Sequence, residues 1–152
     1  MPSITPFLWF DGNVAEAVEF YKSVFADAKV HELTRPNADG PVVSATVELY
    51  GQQLMLLDGG PAHAGFTETI SMFVQVDSQE EVDHLWGKLT GGGEESRCGW
   101  LKDRFGLSWQ IVPSLLGSLL GSSDRVRAQQ AMDAMLQMNK LDIAALQAAY
   151  DR

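Results

Sequence analysis

Two carboxylates near predicted turns are the side chains in this sequence best placed to do chemistry. Glu48 precedes the Tyr50-Gly51 pair, and Asp103 stands at the equivalent place before Phe105-Gly106. Two such groups could act as general acid and base if burial raised the pKa of one carboxyl. Carboxylates beside turns are usually solvated, so the sequence favours a solvated role. Catalysis by Glu48 or Asp103 is the alternative.

The histidines and the single cysteine form no recognisable catalytic or metal-binding pattern. His31 lies on a predicted edge strand, His63 in a linker that contains Gly and Pro, and His84 on the outer side of a predicted helix. Their spacing does not match a metal site, so each is expected at the surface, although the linker could bring His63 over a pocket mouth. Cys98 lacks a convincing His or Lys partner and is expected to be an inert buried thiol.

An internal repeat defines the elements that must position these residues. Tyr50 to Leu57 aligns with Phe105 to Val112, and each segment is an aromatic-Gly turn followed by a short apolar strand. Upstream, Thr5 to Asp11 aligns with Ser71 to Asp77, and an amphipathic helix follows each of them. A repeat with a period near half the chain indicates a duplicated supersecondary unit.

Hydrophobic periodicity predicts the same order of elements in both halves. The first half is expected to contain a strand over Ile4–Phe10, a helix over Val14–Phe25, and strands over Lys29–Thr34, Val43–Leu49 and Gln53–Leu57. The second half is expected to contain a strand over Thr69–Val76, a helix capped by Ser78 that ends at Leu89, a short edge segment and a hairpin over Cys98–Val112.

Three further helices are predicted beyond the repeat, over Ser114–Gly121, Asp124–Met138 and Asp142–Tyr150. The resulting fold class is α+β with mostly antiparallel pairing. We therefore predict a single domain over residues 1–152, with one βαβββ module at 3–60, a second at 67–113 and C-terminal helices at 114–152.

Tight turns also predict which side chains share a face of each sheet. The expected pairs are Glu48 with Gln53, Thr46 with Met55 and Ser44 with Leu57, and then Asp103 with Ser108, Leu101 with Gln110 and Gly99 with Val112. Leu54, Leu56, Trp109 and Ile111 fall on the opposite face and are expected to pack under the helices. The residues predicted to line a ligand pocket are Thr5, Phe7, Trp9, Thr46, Met55, Ser71, Phe73, Gln75, Ser108 and Gln110. The aromatic members of this set are as compatible with plain core packing.

Four segments resemble the vicinal oxygen chelate superfamily, which includes glyoxalase I, extradiol dioxygenases and bleomycin-resistance proteins, and within it the PhnB-like branch. They are Ile4 to Gly12, Leu57 to Pro61, Cys98 to Pro113 and Ala134 to Met138, and the third is specific. The resemblance runs from about residue 3 to the C-terminus. It implies two modules that enclose a pocket, and metal-binding members carry ligands, commonly His and Glu, on the first and fourth strands of each module.

The repeat places Thr5, Met55, Ser71 and Gln110 at the ligand positions that this resemblance implies. Hydroxyl, thioether and amide groups do not replace the imidazole and carboxylate donors of first-row divalent sites. We therefore predict no metal and no cofactor. PhnB-like proteins often carry the name demethylubiquinone methyltransferase. That activity lacks support in the sequence, because no Gly-rich loop joins a predicted parallel strand to a helix.

Charge and composition limit the partners and the location. The net charge of −9 argues against binding to nucleic acid or to an anionic membrane surface. No apolar segment reaches the length of a membrane span, and a single cysteine suits a reducing compartment, so a cytoplasmic location is expected.

The resemblance and the pocket residues together lead to a functional prediction. We expect a metal-free homodimer that binds a small, partly apolar molecule in the pocket between the modules, with Met132, Met135, Leu136 and Met138 contacting the partner subunit. The alternatives are a metal-dependent glyoxalase-like isomerase or lyase, a sequestering protein of the resistance type, and a scaffold whose own side chains fill the pocket.

Overall fold

A computed structural model describes residues 2–152 of the chain. The chain forms two compact units, of which the first ends at Gly65 and the second runs from Phe66 to Arg152. Each unit contains one four-stranded sheet, and both sheets have the same strand order along the chain. The predicted α+β class with two βαβββ modules and C-terminal helices is confirmed.

The first unit is a βαβββ module. Its elements are β1 (Phe7–Phe10), α1 (Val14–Val24), β2 (Lys29–Thr34), β3 (Ser44–Leu49) and β4 (Gln52–Asp58). The sheet order is β1-β4-β3-β2, with β1 parallel to β4 and the other neighbours antiparallel. The helix α1 buries the apolar face that the periodicity predicts, including Val14, Ala17 and Tyr21. The first strand is shorter than predicted, because its ladder with β4 begins only at Phe7.

The turn of the first hairpin has the register that the sequence predicts. Tyr50 and Gly51 both have positive φ, 48° and 80°, as a two-residue type I′ turn requires. Glu48 therefore lies opposite Gln53, and Thr46 lies opposite Met55, as expected.

The second unit repeats the module and adds helices. Its elements are β5 (Met72–Val76), α2 (Gln79–Thr90), β6 (Glu94–Glu95), β7 (Trp100–Lys102), β8 (Ser108–Pro113), α3 (Ser114–Leu120), α4 (Arg125–Met135) and α5 (Ile143–Asp151). The sheet order is β5-β8-β7-β6, with β5 parallel to β8. The predicted cap of α2 is confirmed: the Ser78 hydroxyl accepts a hydrogen bond from the Glu81 amide at 3.2 Å.

The register predicted for the second hairpin is wrong by one residue. Trp100 lies opposite Gln110, and Leu101 lies opposite Trp109. The turn is one residue longer than the first, because the Asp103 amide donates to the Leu107 carbonyl and Gly106 takes a φ of 86°. The turn has a β-bulge at Gly106. Because of the extra residue, each side chain of β7 points to the face of the sheet opposite to the predicted one.

The C-terminal helices build their own core against the end of β8. Leu116, Leu119, Ala131, Leu141 and Leu146 are buried in one cluster with Val112. Within residues 2–152, the chain contains no helix that is both long and apolar enough to traverse a bilayer.

Candidate functional site

The sheet of the first unit has one face under α1 and one open face. Leu54 and Leu56 are buried, whereas Phe7 is 54% exposed and Met55 is also exposed. Thr46 lies opposite Met55 on this open face and is half-buried, and Thr5, just before β1, is half-buried as well. The alternation predicted for β4 is thus confirmed, because successive residues of a strand point to opposite faces.

Trp9 is anchored by the segment that follows β4. Its indole N–H donates to the Gly60 carbonyl at 2.9 Å, and its ring meets the ring of His63 edge-on, with centroids 4.7 Å apart. A Cβ at Gly59 would come within 2.1 Å of the indole, so only glycine allows this packing. Trp9 therefore holds the linker in place, and His63 packs on the side of its ring.

The open face of the second sheet carries four of the residues predicted for ligand binding, namely Ser71, Phe73, Gln75 and Gln110. Phe73 is 57% exposed and Gln75 is exposed, whereas Trp109 and Ile111 are buried on the opposite face. The Gln110 amide nitrogen donates to the Ser71 hydroxyl at 3.0 Å, so two of the predicted residues are joined directly.

A cavity of about 280 Å³ lies on this face of the second unit. The sheet side contributes Phe73, Gln75, Trp100, Gln110 and Val112 together with Cys98, and the helical side contributes Leu116, Gly117, Leu120 and Met135. None of the residues around the cavity carries a formal charge. Its volume is close to the lower end of the range typical for small-molecule pockets.

Trp100 is a cavity residue that the sequence prediction missed. The expected register placed Leu101 beside Gln110, but Leu101 is buried on the helix side and Trp100 takes that place. The signal that could have revealed it is the Asp103-Arg104-Phe105-Gly106 segment, since a type I turn followed by glycine favours the longer loop. Cys98, expected to be buried, is half-buried at the cavity wall.

Ser108 lies in a different place from the other predicted ligand residues. Its side chain is buried, and its hydroxyl has no hydrogen-bond partner within residues 2–152. It borders a cleft of about 120 Å³, which is lined on its outer side by the ion pair of Lys102 with Glu68 at 2.6 Å. That hydrogen-bonded ion pair lowers the pKa of Glu68 and raises the pKa of Lys102.

Asp103 is not the solvated turn carboxylate that the sequence favours, because only 2% of it is exposed. Its oxygens accept hydrogen bonds from the Phe105 amide at 2.9 Å, the Leu107 amide at 3.1 Å and the Trp109 indole N–H at 2.9 Å. Both carboxylate oxygens thus bind groups of the same hairpin. The carboxylate organises the turn that sets the position of Trp100.

Glu48, the other candidate for acid-base chemistry, forms ion pairs on its own sheet. It accepts a hydrogen bond from His31 Nε2 at 3.1 Å and lies 3.6 Å from Lys29 Nζ. The hydrogen bond with His31 is the main cause that lowers the pKa of Glu48, and Lys29 acts in the same direction. A lowered pKa makes a carboxylate a weaker base, which is the opposite of the shift that general-base catalysis at neutral pH needs.

The residues at the implied metal-ligand positions do not fit a divalent ion. Ser71 and Gln110 present a hydroxyl and an amide that bind each other, and Met55 presents a thioether on the first sheet. First-row divalent sites in proteins use imidazole, thiolate and carboxylate donors. Across residues 2–152 there is also no group of three or more His, Cys, Asp or Glu arranged to hold a metal.

One family model and several solved structures are similar to this chain. The family model described as 3-demethylubiquinone-9 3-methyltransferase matches residues 2–112. A PhnB protein structure from Bacillus cereus is 32% identical, with a TM-score of 0.67, and the match covers 74% of this chain and 100% of that chain. Protein PA1353 from Pseudomonas aeruginosa is 25% identical, with a TM-score of 0.62 and coverage of 74% and 98%.

A more distant structure shares the fold alone. The fosfomycin resistance protein FosX from Listeria monocytogenes, complexed with Mn(II) and sulfate, is 15% identical, with a TM-score of 0.56 over 72% of this chain and 89% of that chain. No curated protein matches the chain significantly. Together these comparisons define the class of protein as the vicinal oxygen chelate superfamily.

Within that superfamily, the chain belongs to the PhnB-like family that carries the name 3-demethylubiquinone-9 3-methyltransferase. The name is that of the family, and the sheets of this chain are four-stranded βαβββ sheets instead of the doubly wound parallel sheet of nucleotide-cofactor folds. The family match ends at Val112. The Ala134 to Met138 segment, which carries part of the resemblance given by the sequence, lies beyond the residues that the family model matches.

Proposed function

We propose that this chain binds a small, uncharged, partly apolar molecule in the cavity of its second unit. The observation that supports this most directly is the character of the walls: aromatic and aliphatic side chains with the Cys98 thiol and two neutral amides, Gln75 and Gln110, and no charged group among them. Burial of an ion beside such walls would cost its hydration without a compensating partner, so neutral ligands are favoured. Ligand contacts on the open face of the first sheet, which the sequence also predicts, stay a prediction.

Gln110 determines which polar group the ligand should carry. One N–H of its amide nitrogen donates to Ser71, and this contact orients the amide. The carbonyl oxygen and the second N–H remain for a ligand, and the carbonyl oxygen favours a ligand with a hydroxyl or N–H donor. Phe73 and Trp100 add aromatic faces that suit a ring. The class that meets these conditions is a neutral molecule with a ring and a donor, such as a phenol.

Binding is proposed in preference to catalysis because both candidate carboxylates have other partners. Asp103 accepts three hydrogen bonds from its own hairpin, and Glu48 is paired with His31 and Lys29. Neither belongs to the cavity lining. Of the alternatives that the sequence leaves open, these contacts thus favour a sequestering role over an isomerase or a lyase.

Three matched probes test the proposed function by NMR titration of the Trp100 indole signal. Phenol should bind and shift this signal, anisole should bind roughly tenfold more weakly because it leaves the Gln110 carbonyl without a donor, and benzoate should not bind. Gln110→Leu should remove the preference for phenol over anisole, whereas Gln53→Leu, exposed on the first sheet, should preserve it.

The same titration repeated with EDTA tests the absence of a metal role. Phenol binding should be unchanged, because the cavity lining offers one thiol, Cys98, and no His, Asp or Glu, whereas a catalytic zinc site typically has three protein ligands. Preferred binding of benzoate, or loss of phenol binding with the chelator, would refute the proposed function.

We also propose that the chain forms a homodimer, now through a different set of residues on α4. Met135 and Met138 pack against the helical core of their own chain, so they contribute to its folding. Val126, near the start of α4, is 70% exposed, and Leu136, at its C-cap, is 45% exposed. We propose that both side chains contact a second copy of the chain. Light scattering after gel filtration should give twice the chain mass of 16.7 kDa. Val126→Glu combined with Leu136→Glu should shift the mass to that of one chain, whereas Leu33→Glu should not. A wild-type chain that is monomeric at its highest soluble concentration rejects the proposal.

A further inference from the structure

The C-terminal helices form one wall of the cavity, although they lie outside the family match. The family model ends at Val112, and α3 begins at Ser114. The Bacillus cereus chain is matched in full by 74% of this chain. Leu116, Gly117 and Leu120 on α3 and Met135 on α4 nevertheless line the cavity. The part of the chain that is additional to the family match therefore borders the proposed ligand.

Backbone hydrogen bonds join the loop that follows α4 to the segment just before β7. The Cys98 amide donates to the Met138 carbonyl and the Gly99 amide donates to the Asn139 carbonyl, both at 2.8 Å. Cys98 has a φ of 59° and Gly99 a φ of 86°, so the backbone just before β7 is bent toward this contact. A φ in this range strains any residue other than glycine, so Cys98 is the strained residue here. It is also the residue whose amide binds the Met138 carbonyl.

Side chains of α2 bind the other end of the loop that contains Met138 and Asn139. The Gln79 side chain donates to the Leu141 carbonyl at 3.0 Å and accepts from the Ile143 amide at 2.7 Å. Lys140 pairs with Asp83 at 2.8 Å, and this hydrogen bond lowers the pKa of Asp83. With Leu141 and Leu146 fully buried, the segment is part of the packed unit. A wall held this firmly is suited to restrict what fits beside it.

We propose that α3 and α4 determine the size of the ligand that this family member accepts, with Gly117 and Met135 as the specificity-determining residues. This rests on the proposed function. Gly117 borders the cavity, and a Cβ built there meets no heavy atom within 4 Å. The missing side chain therefore leaves space for a ligand. Met135 lines the same cavity with an adaptable side chain. One residue thus provides room and the other limits it.

The test compares phenol with para-tert-butylphenol, which differ only in a bulky apolar substituent. Gly117→Leu should weaken binding of para-tert-butylphenol at least about tenfold and that of phenol by no more than about threefold, because a few methyl groups in an apolar pocket are worth that much. Met135→Ala should change the ratio in the opposite direction. Gly87→Leu is the matched control, since Gly87 also lies within a helix and a Cβ there meets nothing within 4 Å.

The control also separates size selection from general damage. Both leucine variants should keep the wild-type melting temperature or exceed it, because leucine has a higher helix propensity than glycine and neither Cβ collides with the chain. If the wild type binds phenols but Gly117→Leu changes both affinities equally or neither, the helical wall does not set ligand size and the proposed function stands. If the wild type binds no phenol, both proposals fail.

Discussion

Replacement of Asp103 by alanine is expected to lower the free energy of unfolding by about 3–4 kcal/mol. The carboxylate is buried and accepts three hydrogen bonds, from two amides of its own turn and from the Trp109 indole. Alanine leaves the Leu107 amide and the Trp109 N–H without an acceptor in a place where both groups are buried. The cost arises mainly from these unpaired donors, because their hydration was lost on folding.

Urea denaturation followed by tryptophan fluorescence measures this change, and the melting temperature should fall by roughly 10 °C. Asp103→Asn provides a second test if the alanine variant does not fold. Its amide oxygen can still accept from the turn amides, so a loss of about half as much is expected. The matched control is Glu48→Ala, the corresponding position before the first turn, which should cost much less than Asp103→Ala because its partners Lys29 and His31 are exposed. Equal effects of the two alanine substitutions would contradict a structural role for Asp103.

Replacement of Gly93 by alanine is expected to destabilise the second unit by about 2–4 kcal/mol. A Cβ at this position would lie 2.1 Å from the Lys102 carbonyl oxygen and 2.8 Å from the carbonyl carbon of Asp103. Both are backbone atoms of the neighbouring strand, so no side chain can move aside to make room. The pairing of β6 with β7, which starts at Glu94 opposite Lys102, would have to separate.

Gly87→Ala is the matched control for this substitution and should have the opposite sign. Its Cβ meets no atom within 4 Å in the middle of α2, so alanine is expected to add up to about 1 kcal/mol of stability through helix propensity. Thermal denaturation of both variants gives the comparison. A Gly93→Ala protein as stable as the wild type would show that β6 is not held against β7 as described.

These two substitutions also bear on the cavity, since Asp103 and Gly93 both lie beside the C-terminal end of β7, the strand that carries Trp100. The Asp103 carboxylate fixes the longer turn, and the longer turn places Trp100 opposite Gln110. Gly93 allows β6 to close against the other side of β7. A disturbed hairpin should therefore shift the Trp100 indole signal as well as lower stability.

The sequence alone determined the α+β class, the two βαβββ modules and the register of the first hairpin. It could do so because the decisive information is local. The apolar periodicity of α1 and the alternation of β3 identify the elements, and Tyr50-Gly51 adopts a two-residue turn that leaves one register. The opposite faces of β4, with Leu56 buried and Met55 exposed, then follow from strand geometry.

Only the tertiary structure decided the parts of the site that depend on distant contacts. The second turn resembles the first in sequence, yet it is one residue longer, because the buried Asp103 carboxylate accepts a hydrogen bond from Trp109 and stabilises the longer loop. The extra residue reverses the faces to which the β7 side chains point. In the same way, Gly117 and Met135 reach the cavity because the carbonyls of Met138 and Asn139 accept hydrogen bonds from Cys98 and Gly99, some forty residues earlier in the chain. A pattern read along the chain reports the nearest few residues. Burial of a charge and docking of a distant helix are settled by the free energy of the whole packed unit.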